Sequence, residues 1–402
     1  MNFVIISSLR AHLEKIFNIL IVIFPIAFLA IPNGDRLLII LFLLSIILLI
    51  INFNKIPPLE YSEKLLSSTF IFYFLVQLIY FFIYDADFRE IDTPSRFILV
   101  LPILYVARGI IFKYTLFGFA LNIAIILAGL IAVYQIFSGR YESSGFIDSG
   151  NFSLITSIFA SFALWKALIS DNKKIRYFYI LGFILGFLAI IFSGIRTTWV
   201  IFLIVNLIIL FLNKNYSYKK VIAASILFLI TIYSIFPNIH IETERLIVNT
   251  KDYVHGKNLD TSTGHRLELY KASYLIFINN PMGVGENNFK IYKDNLIKDG
   301  LINKYILHHI NPHSEIIASL IEQGILGLIS TVLALIIPFL FFYDNHKRYL
   351  CEESMLGLIF ISHFMLFAIT SGIFDHQVST LFFTSLTVII YSYISVRKKG
   401  LN

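Results

Sequence analysis

The chain has 402 residues, of which 57% are hydrophobic and only 14% charged, with a net charge of +7. Soluble domains carry about 25% charged residues, so this chain is too poor in polar surface to face water all round, and its solvent is lipid. Its single cysteine, Cys351, excludes an intramolecular disulfide and a cysteine-based metal site, and reads as a filler at a helix end.

A helix needs about 20 apolar residues to cross ~30 Å of hydrocarbon. In chain order, twelve runs meet or approach that length: 16–32, 37–53, 65–84, 96–112, 114–137, 151–169, 177–193, 197–213, 220–236, 315–342, 354–371 and 377–396. The first follows Arg10 and Lys15 and lacks a cleavage pattern, so it reads as a retained span rather than a signal peptide. The fold class expected is all-α, a polytopic bundle of about twelve helices. Residues 1–236 and 313–402 form the membrane bundle, with about nine and three helices, and 237–312 form one large loop outside it.

The loops orient the bundle. Alternate connections carry Arg10, Lys15, Lys55, Lys64, Arg108, Lys113, Lys166, Lys173, Lys174, Arg176, Lys214, Lys219, Lys220, Lys347, Arg348 and Arg397 to Lys399. The short loops on the other side carry only Arg36, Arg89, Arg96, Arg140 and Arg196. Positive residues in short loops stay on the cytoplasmic side, so both termini are expected inside and the large loop outside. The positive charge is thereby assigned to membrane orientation, and nucleic acid is not an expected partner.

Arg96 in DTPSRF, Arg140 in SGRYESSG and Arg196 in SGIRTTW sit at helix ends on the side that should avoid positive charge. Any one of them reads as an anchor snorkelling to headgroups. Three together suggest a shared role, because a guanidinium offers a rigid fork of donors to phosphate oxygens. Within the large loop, 266–278 (RLELYKASYLIFI) places Leu267, Tyr270, Tyr274 and Phe277 at helical spacing. This predicts an amphipathic helix that lies on the membrane or caps the bundle. It is preceded by His265 and Arg266, and followed by the turn-rich NNPMGVGENNF.

The loop returns to the membrane through HHINPHSEIIASLIEQGILGLI at 308–329. Pro312 suits a helix start. His313, beside Glu315 at a water–lipid boundary, is a candidate general base, since histidine titrates near 6.5; alone it would read as a helix cap. His308 and His309 are alternatives for the same role. No P-loop, zinc-protease helix or dinucleotide fingerprint occurs. Asp85 and Asp87 have metal-motif spacing but read as helix-end residues, and Asp375 and His376 read as pocket or cap residues in the last outer loop.

PHSEIIASLIEQGILGLI, with Gly324 and Gly327, resembles the His-containing motif of the O-antigen ligase and polymerase superfamily. GHRLELYKASYLIFINNPMGVGENNF is similar to its Arg-led helix before a Pro-x-Gly-x-Gly turn, and SGIRTTW to its Arg-containing span start. DTPSRFILVLPILY and the stretch from Arg140 to Gly145 look more like the ligase branch. The resemblance implies a GT-C-like bundle in the bacterial inner membrane. It implies transfer of a glycan from undecaprenyl diphosphate to a lipid A–core sugar hydroxyl on the periplasmic face, for lipopolysaccharide biosynthesis. No metal and no cofactor enter the family's usual reaction. Carried over, His313 would be the base, and Arg196 and Arg266 would hold the diphosphate. Arg96, Arg140, His265 and Glu315 are candidate substrate-binding residues. A polymerase using a second lipid-linked glycan as acceptor, or a transporter, are the competing readings. The near absence of ionisable mid-span residues speaks against transport.

Overall fold

The computed structural model describes residues 2–52, 58–110, 114–212, 248–253, 255–257, 259–309, 311–398 and 400. Every regular element among them is helical. Hydrocarbon offers no partner to backbone N–H and C=O groups, and a helix satisfies them within one segment. The helices are α1 (Asn2–Ala30), α2 (Leu37–Asn52), α3 (Tyr61–Ile83), α4 (Phe88–Leu99), α5 (Leu101–Ala107), α6 (Tyr114–Phe137), α7 (Ser149–Ile169), α8 (Lys173–Phe192) and α9 (Arg196–Leu212). They continue with α10 (Ser262–Asn279), α11 (Glu286–Lys298), α12 (Glu315–Glu322), α13 (Gly324–Tyr349), α14 (Glu352–Thr370) and α15 (Gln377–Lys398).

Nine helices among the described residues are long and apolar enough to cross a membrane: α1, α2, α3, α6, α7, α8, α13, α14 and α15. α9 is apolar but has 17 residues, about 25 Å at 1.5 Å per residue. The ninth expected span, 220–236, lies outside the described residues.

Two expected spans differ from the structure. The fourth is not one helix: α4 starts well before Arg96 and ends at Leu99, Val100 separates it from α5, and Pro102 lies in the first turn of α5. Proline lacks the N–H that would continue the ladder and is tolerated in a first helical turn. The tenth is divided too. α12 ends at Glu322, Gln323 leaves the helix, and Gly324, at φ +63°, starts α13. Only α13 is the membrane helix, and α12 belongs to the cap below.

Lipid-facing surfaces are readable from exposure. On α2, Leu38, Leu41 and Leu48 are buried while Ile39, Ile40, Leu43, Ile47 and Ile50 are exposed. On α3, Ile71, Leu75, Ile79 and Phe82 form an exposed apolar stripe at helical spacing. Inside, α15 is the most enclosed of the nine. Its Phe382 and Phe383 join a run of aromatic contacts through Phe24 and Phe28 of α1, Phe70 of α3, Phe97 of α4 and Phe360 and Phe364 of α14. Two threonine hydroxyls of α15 are satisfied locally: Thr384 and Thr387 donate to the carbonyls of Thr380 and Phe383. An ionisable side chain does lie in mid-span. His363 of α14 is fully buried, with Nδ1 on the carbonyl of Ile359 at 2.8 Å.

The two ends of the bundle differ. At one end, Arg108 donates to Glu63 (2.8 Å) and to the carbonyl of Pro58. Lys166 pairs with Glu352, and Arg397 with Glu353. Arg108 and Glu63 are essentially without solvent contact, so Arg108, a loop charge on the sequence reading, is an internal tie between α3 and the end of α5. The opposite end carries the turns α3–α4, α6–α7, α8–α9 and α14–α15, and a cap built from α10, α11 and α12.

The cap has its own small core of Leu269, Ala272, Ile276, Val284, Phe289, Ile302, Ile306 and Ile321. α10 is therefore the helix expected at 266–278, but turned. It buries Gly264, Glu268, Leu269, Ala272, Ser273 and Ile276, and Tyr274 of the expected apolar face stands 64% exposed. Leu269, Ala272 and Ile276 join the cap core instead, and that burial sets the face α10 turns inward. The turn after α10 locks the cap to the bundle. Val284 and Gly285 donate to the carbonyls of Ile321 and Glu322, and the hydroxyls of Tyr80 and Tyr84 donate to the carbonyls of Met282 and Gly283.

Candidate active site

His313 sits one residue before the cap of α12. Ser314 caps that helix, its Oγ accepting from the backbone N–H of Ile317 and donating to the carbonyl of Ala368. His313 itself has φ +54°, a left-handed conformation uncommon outside glycine and typical of held functional positions. The clamp that holds it includes Glu315. This buried carboxylate accepts from the N–H groups of Ile373 and Phe374, both at 2.9 Å, and its own N–H donates to the carbonyl of Ser371. Glu315 thus ties the start of α12 to the α14–α15 turn.

Three imidazoles and a carboxylate form a chain across the cap. His313 Nε2 lies 3.1 Å from His309 Nδ1, His309 Nε2 lies 3.1 Å from His265 Nδ1, and His265 Nε2 lies 2.9 Å from Asp260 Oδ1. His265, Arg266, His309 and His313, with Ser262, line one cavity of about 430 Å³. Thr261 sets the first turn of α10 by accepting from Gly264 N–H, which places His265 and Arg266 at that helix's start.

The segment carrying His309 is fixed by a lysine that the sequence reading missed. Lys293 of α11 is fully buried and donates to the carbonyls of Ile306, Leu307 and His309. Glu268 of α10 works beside it, accepting from Asn303 N–H at 2.7 Å and from the Tyr253 hydroxyl at 2.8 Å. Nothing in IYKDNLIK marks Lys293 as internal; its position on a polar helix reads as surface.

Burial within the surrounding protein, and then the Arg266 guanidinium, hold the His313 ring below the usual histidine range. His309 is lowered as well, by burial and then by His313, His265, Lys293 and His308. Both rings are therefore poised as neutral bases at neutral pH.

The other candidates lie elsewhere on this end of the bundle. Arg96 is engaged by Asp92 through both carboxylate oxygens at 3.0 Å, and Gln377 donates to the same Asp92. Arg140 is exposed at the end of α6. Its loop is held by Gln135, whose Oε1 accepts from Ser144 and Gly145 N–H while Nε2 donates to the Gly145 carbonyl. Ser143 N–H donates to the Phe192 carbonyl, so this loop packs on the turn that leads into Arg196 at the start of α9. Arg96, Arg140, Arg196 and Glu315 do not line the histidine cavity. His308 is exposed and lies outside the chain of rings. Asp87 caps α4 by accepting from Arg89 N–H, and Cys351 is buried against Ser354 at the start of α14. Among the described residues no three His, Cys, Asp or Glu side chains are grouped to hold a metal ion.

Residues 181–332 match the model of a family described as O-antigen ligase. A Haemophilus influenzae protein described as uncharacterized is 24% identical over 387 residues, spanning 93% of this chain and 97% of its own. The family match runs from within α8 to within α13 and holds Arg196, His265, Arg266, His309, His313 and Glu315. The resemblance read from the sequence is supported over that segment: residues 181–332 are similar to the O-antigen ligase family.

Proposed function

We propose that the chain is an O-antigen ligase. It would transfer a polysaccharide from undecaprenyl diphosphate to a sugar hydroxyl of lipid A–core, on the periplasmic face of a bacterial inner membrane, in lipopolysaccharide biosynthesis. The observation that carries this reading is His313 sharing a cavity with Arg266 within the segment that matches the O-antigen ligase family.

In the proposed step His313 takes the acceptor's hydroxyl proton as that oxygen attacks the anomeric carbon. The carbon–oxygen bond to the diphosphate breaks, and its electron pair leaves with the phosphate. A single displacement of this kind inverts the anomeric centre. A diphosphate is already a good leaving group, so charge stabilisation matters more than acid catalysis. Arg266 would supply it at the cavity, with Arg196, at the start of α9, as the second candidate. The lipid tail of the donor would remain in the bilayer beside the bundle. Arg140 is available for an anionic or glycan contact, whereas Arg96 is already neutralised by Asp92. Glu315, satisfied by backbone donors, fits a positioning role for His313 better than substrate contact.

The test is a deletion strain, with lipopolysaccharide and lipid-linked glycan measured side by side. Long glycan accumulating on the carrier, with bare lipid A–core at the surface, is the ligase outcome. Single repeat units on both carrier and core would make the chain a polymerase. Unchanged glycan on both would remove the transferase reading.

A further inference from the structure

The second, third and fourth members of the His313 chain have no part in the step above. Their hydrogen bonds nevertheless have one consistent direction. If each neutral ring carries its proton on Nε2, His313 donates to His309 Nδ1, His309 donates to His265 Nδ1, and His265 donates to the Asp260 carboxylate. This leaves Nδ1 of His313 with a free lone pair for the acceptor hydroxyl. Every other ring nitrogen in the chain is already engaged.

Exposure rises along the same direction at its far end. The His265 side chain is 23% exposed and that of Asp260 is 59% exposed. The charged and titratable groups facing the inner rings are Arg266 beside His313, and Lys293 and His308 beside His309. The Arg266 and Lys293 cations make either ring a poor place for a proton to rest. The anion stands at the opposite, water-facing end.

We propose that His309, His265 and Asp260 form a relay that carries the acceptor's proton from His313 to water. This rests on His313 acting as the base. The proton arriving at His313 Nδ1 releases the one on Nε2 to His309 Nδ1. His309 then passes its Nε2 proton to His265 Nδ1, and His265 passes its own to Asp260, which gives it to water. One proton enters, one leaves, and no bond outside the chain changes. Exchange with cavity water resets the ring tautomers. His309 and His265 are positioning and relay residues, since neither touches the acceptor.

The experiment uses the full-length protein in lipid nanodiscs with ¹⁵N-labelled histidine, and a synthetic polyprenyl-diphosphate oligosaccharide as donor with lipid A–core as acceptor. The expected result has two parts. The ring nitrogens of His265, His309 and His313 titrate as a coupled set. His309→Gln lowers kcat by about tenfold or more with KM for both substrates unchanged, while added imidazole restores His309→Ala. Rings that titrate independently, or a His309→Gln protein with wild-type kcat, overturn the relay. If His313→Ala is inactive in that second case, the base assignment survives without it. Near-normal product from His313→Ala overturns both the base assignment and the relay. A wild type that transfers no glycan sinks the ligase reading, and the relay's role with it, even if the rings are coupled.

Discussion

Arg266 acts on His313 in two separable ways. Its positive charge adds to burial, the larger cause, in lowering the ring's pKa, and its fork of donors suits a phosphate. For a base that works as neutral imidazole, activity persists as pH falls toward the lowered pKa and is lost below it. Arg266→Gln removes the charge, so the ring pKa rises and the acidic limb of kcat/KM moves to higher pH. Arg266→Lys keeps the charge, so the limb stays in place while affinity for the diphosphate donor falls, because a point charge lacks the fork. A pH–rate profile of both variants checks this; a limb that stays put in Arg266→Gln would mean that another group controls it. His313, Arg266 and His265 were legible in the sequence because each stands beside a helix start with a recognisable neighbourhood. Asp260, Lys293 and the selection of His309 over His308 were not. They depend on contacts such as His265 to His309, 44 residues apart, that no local pattern encodes.

At the scale of elements, the two breaks in the expected spans have different causes. Pro102 is visible in the sequence as a helix interrupter, and its effect at Val100 follows from the missing N–H. The break at Gly324 is tertiary. Gly283 and Gly324 meet there: a Cβ on Gly324 would lie 2.5 Å from the Met282 carbonyl carbon, and one on Gly283 would lie 2.5 Å from the Glu322 carbonyl oxygen. Both residues also have positive φ, so glycine is needed twice over. Gly324→Ala should therefore destabilise the protein by about 1–3 kcal/mol, separating cap from bundle. Gly139→Ala is the control, since Gly139 also has positive φ but nothing within 4 Å of its Cβ position. Thermal unfolding in detergent should show a clearly larger loss for Gly324→Ala, and equal losses would argue against the crossing. The orientation of α10 was misread for a related reason. Aromatic periodicity marked one face, whereas the cap core buries another, through Leu269, Ala272 and Ile276.

For the whole molecule, the membrane character and nine of the expected spans were legible because they depend on composition and run length, which lipid enforces directly. The arrangement of charge between the two ends was legible in part: the arginines and histidines expected on the outer side gather at one end, opposite the Glu63–Arg108, Lys166–Glu352 and Arg397–Glu353 pairs. Pairing does not cancel the orienting effect of Arg108 or Lys166, because the positive-inside bias counts Lys and Arg rather than net charge. On the proposed function, the histidine end faces the periplasm. Cysteine labelling checks this without any substrate. Cys351 is buried and the chain's single cysteine, so Cys351→Ser supplies a clean background for new cysteines at Ser262, on the cavity rim, and Lys64, exposed beside Glu63. In spheroplasts a membrane-impermeant maleimide should label Ser262→Cys at once, and Lys64→Cys only after the membrane is opened. The reverse pattern would put the His313 cavity in the cytoplasm, away from any periplasmic donor, and the ligase reading would fall with it.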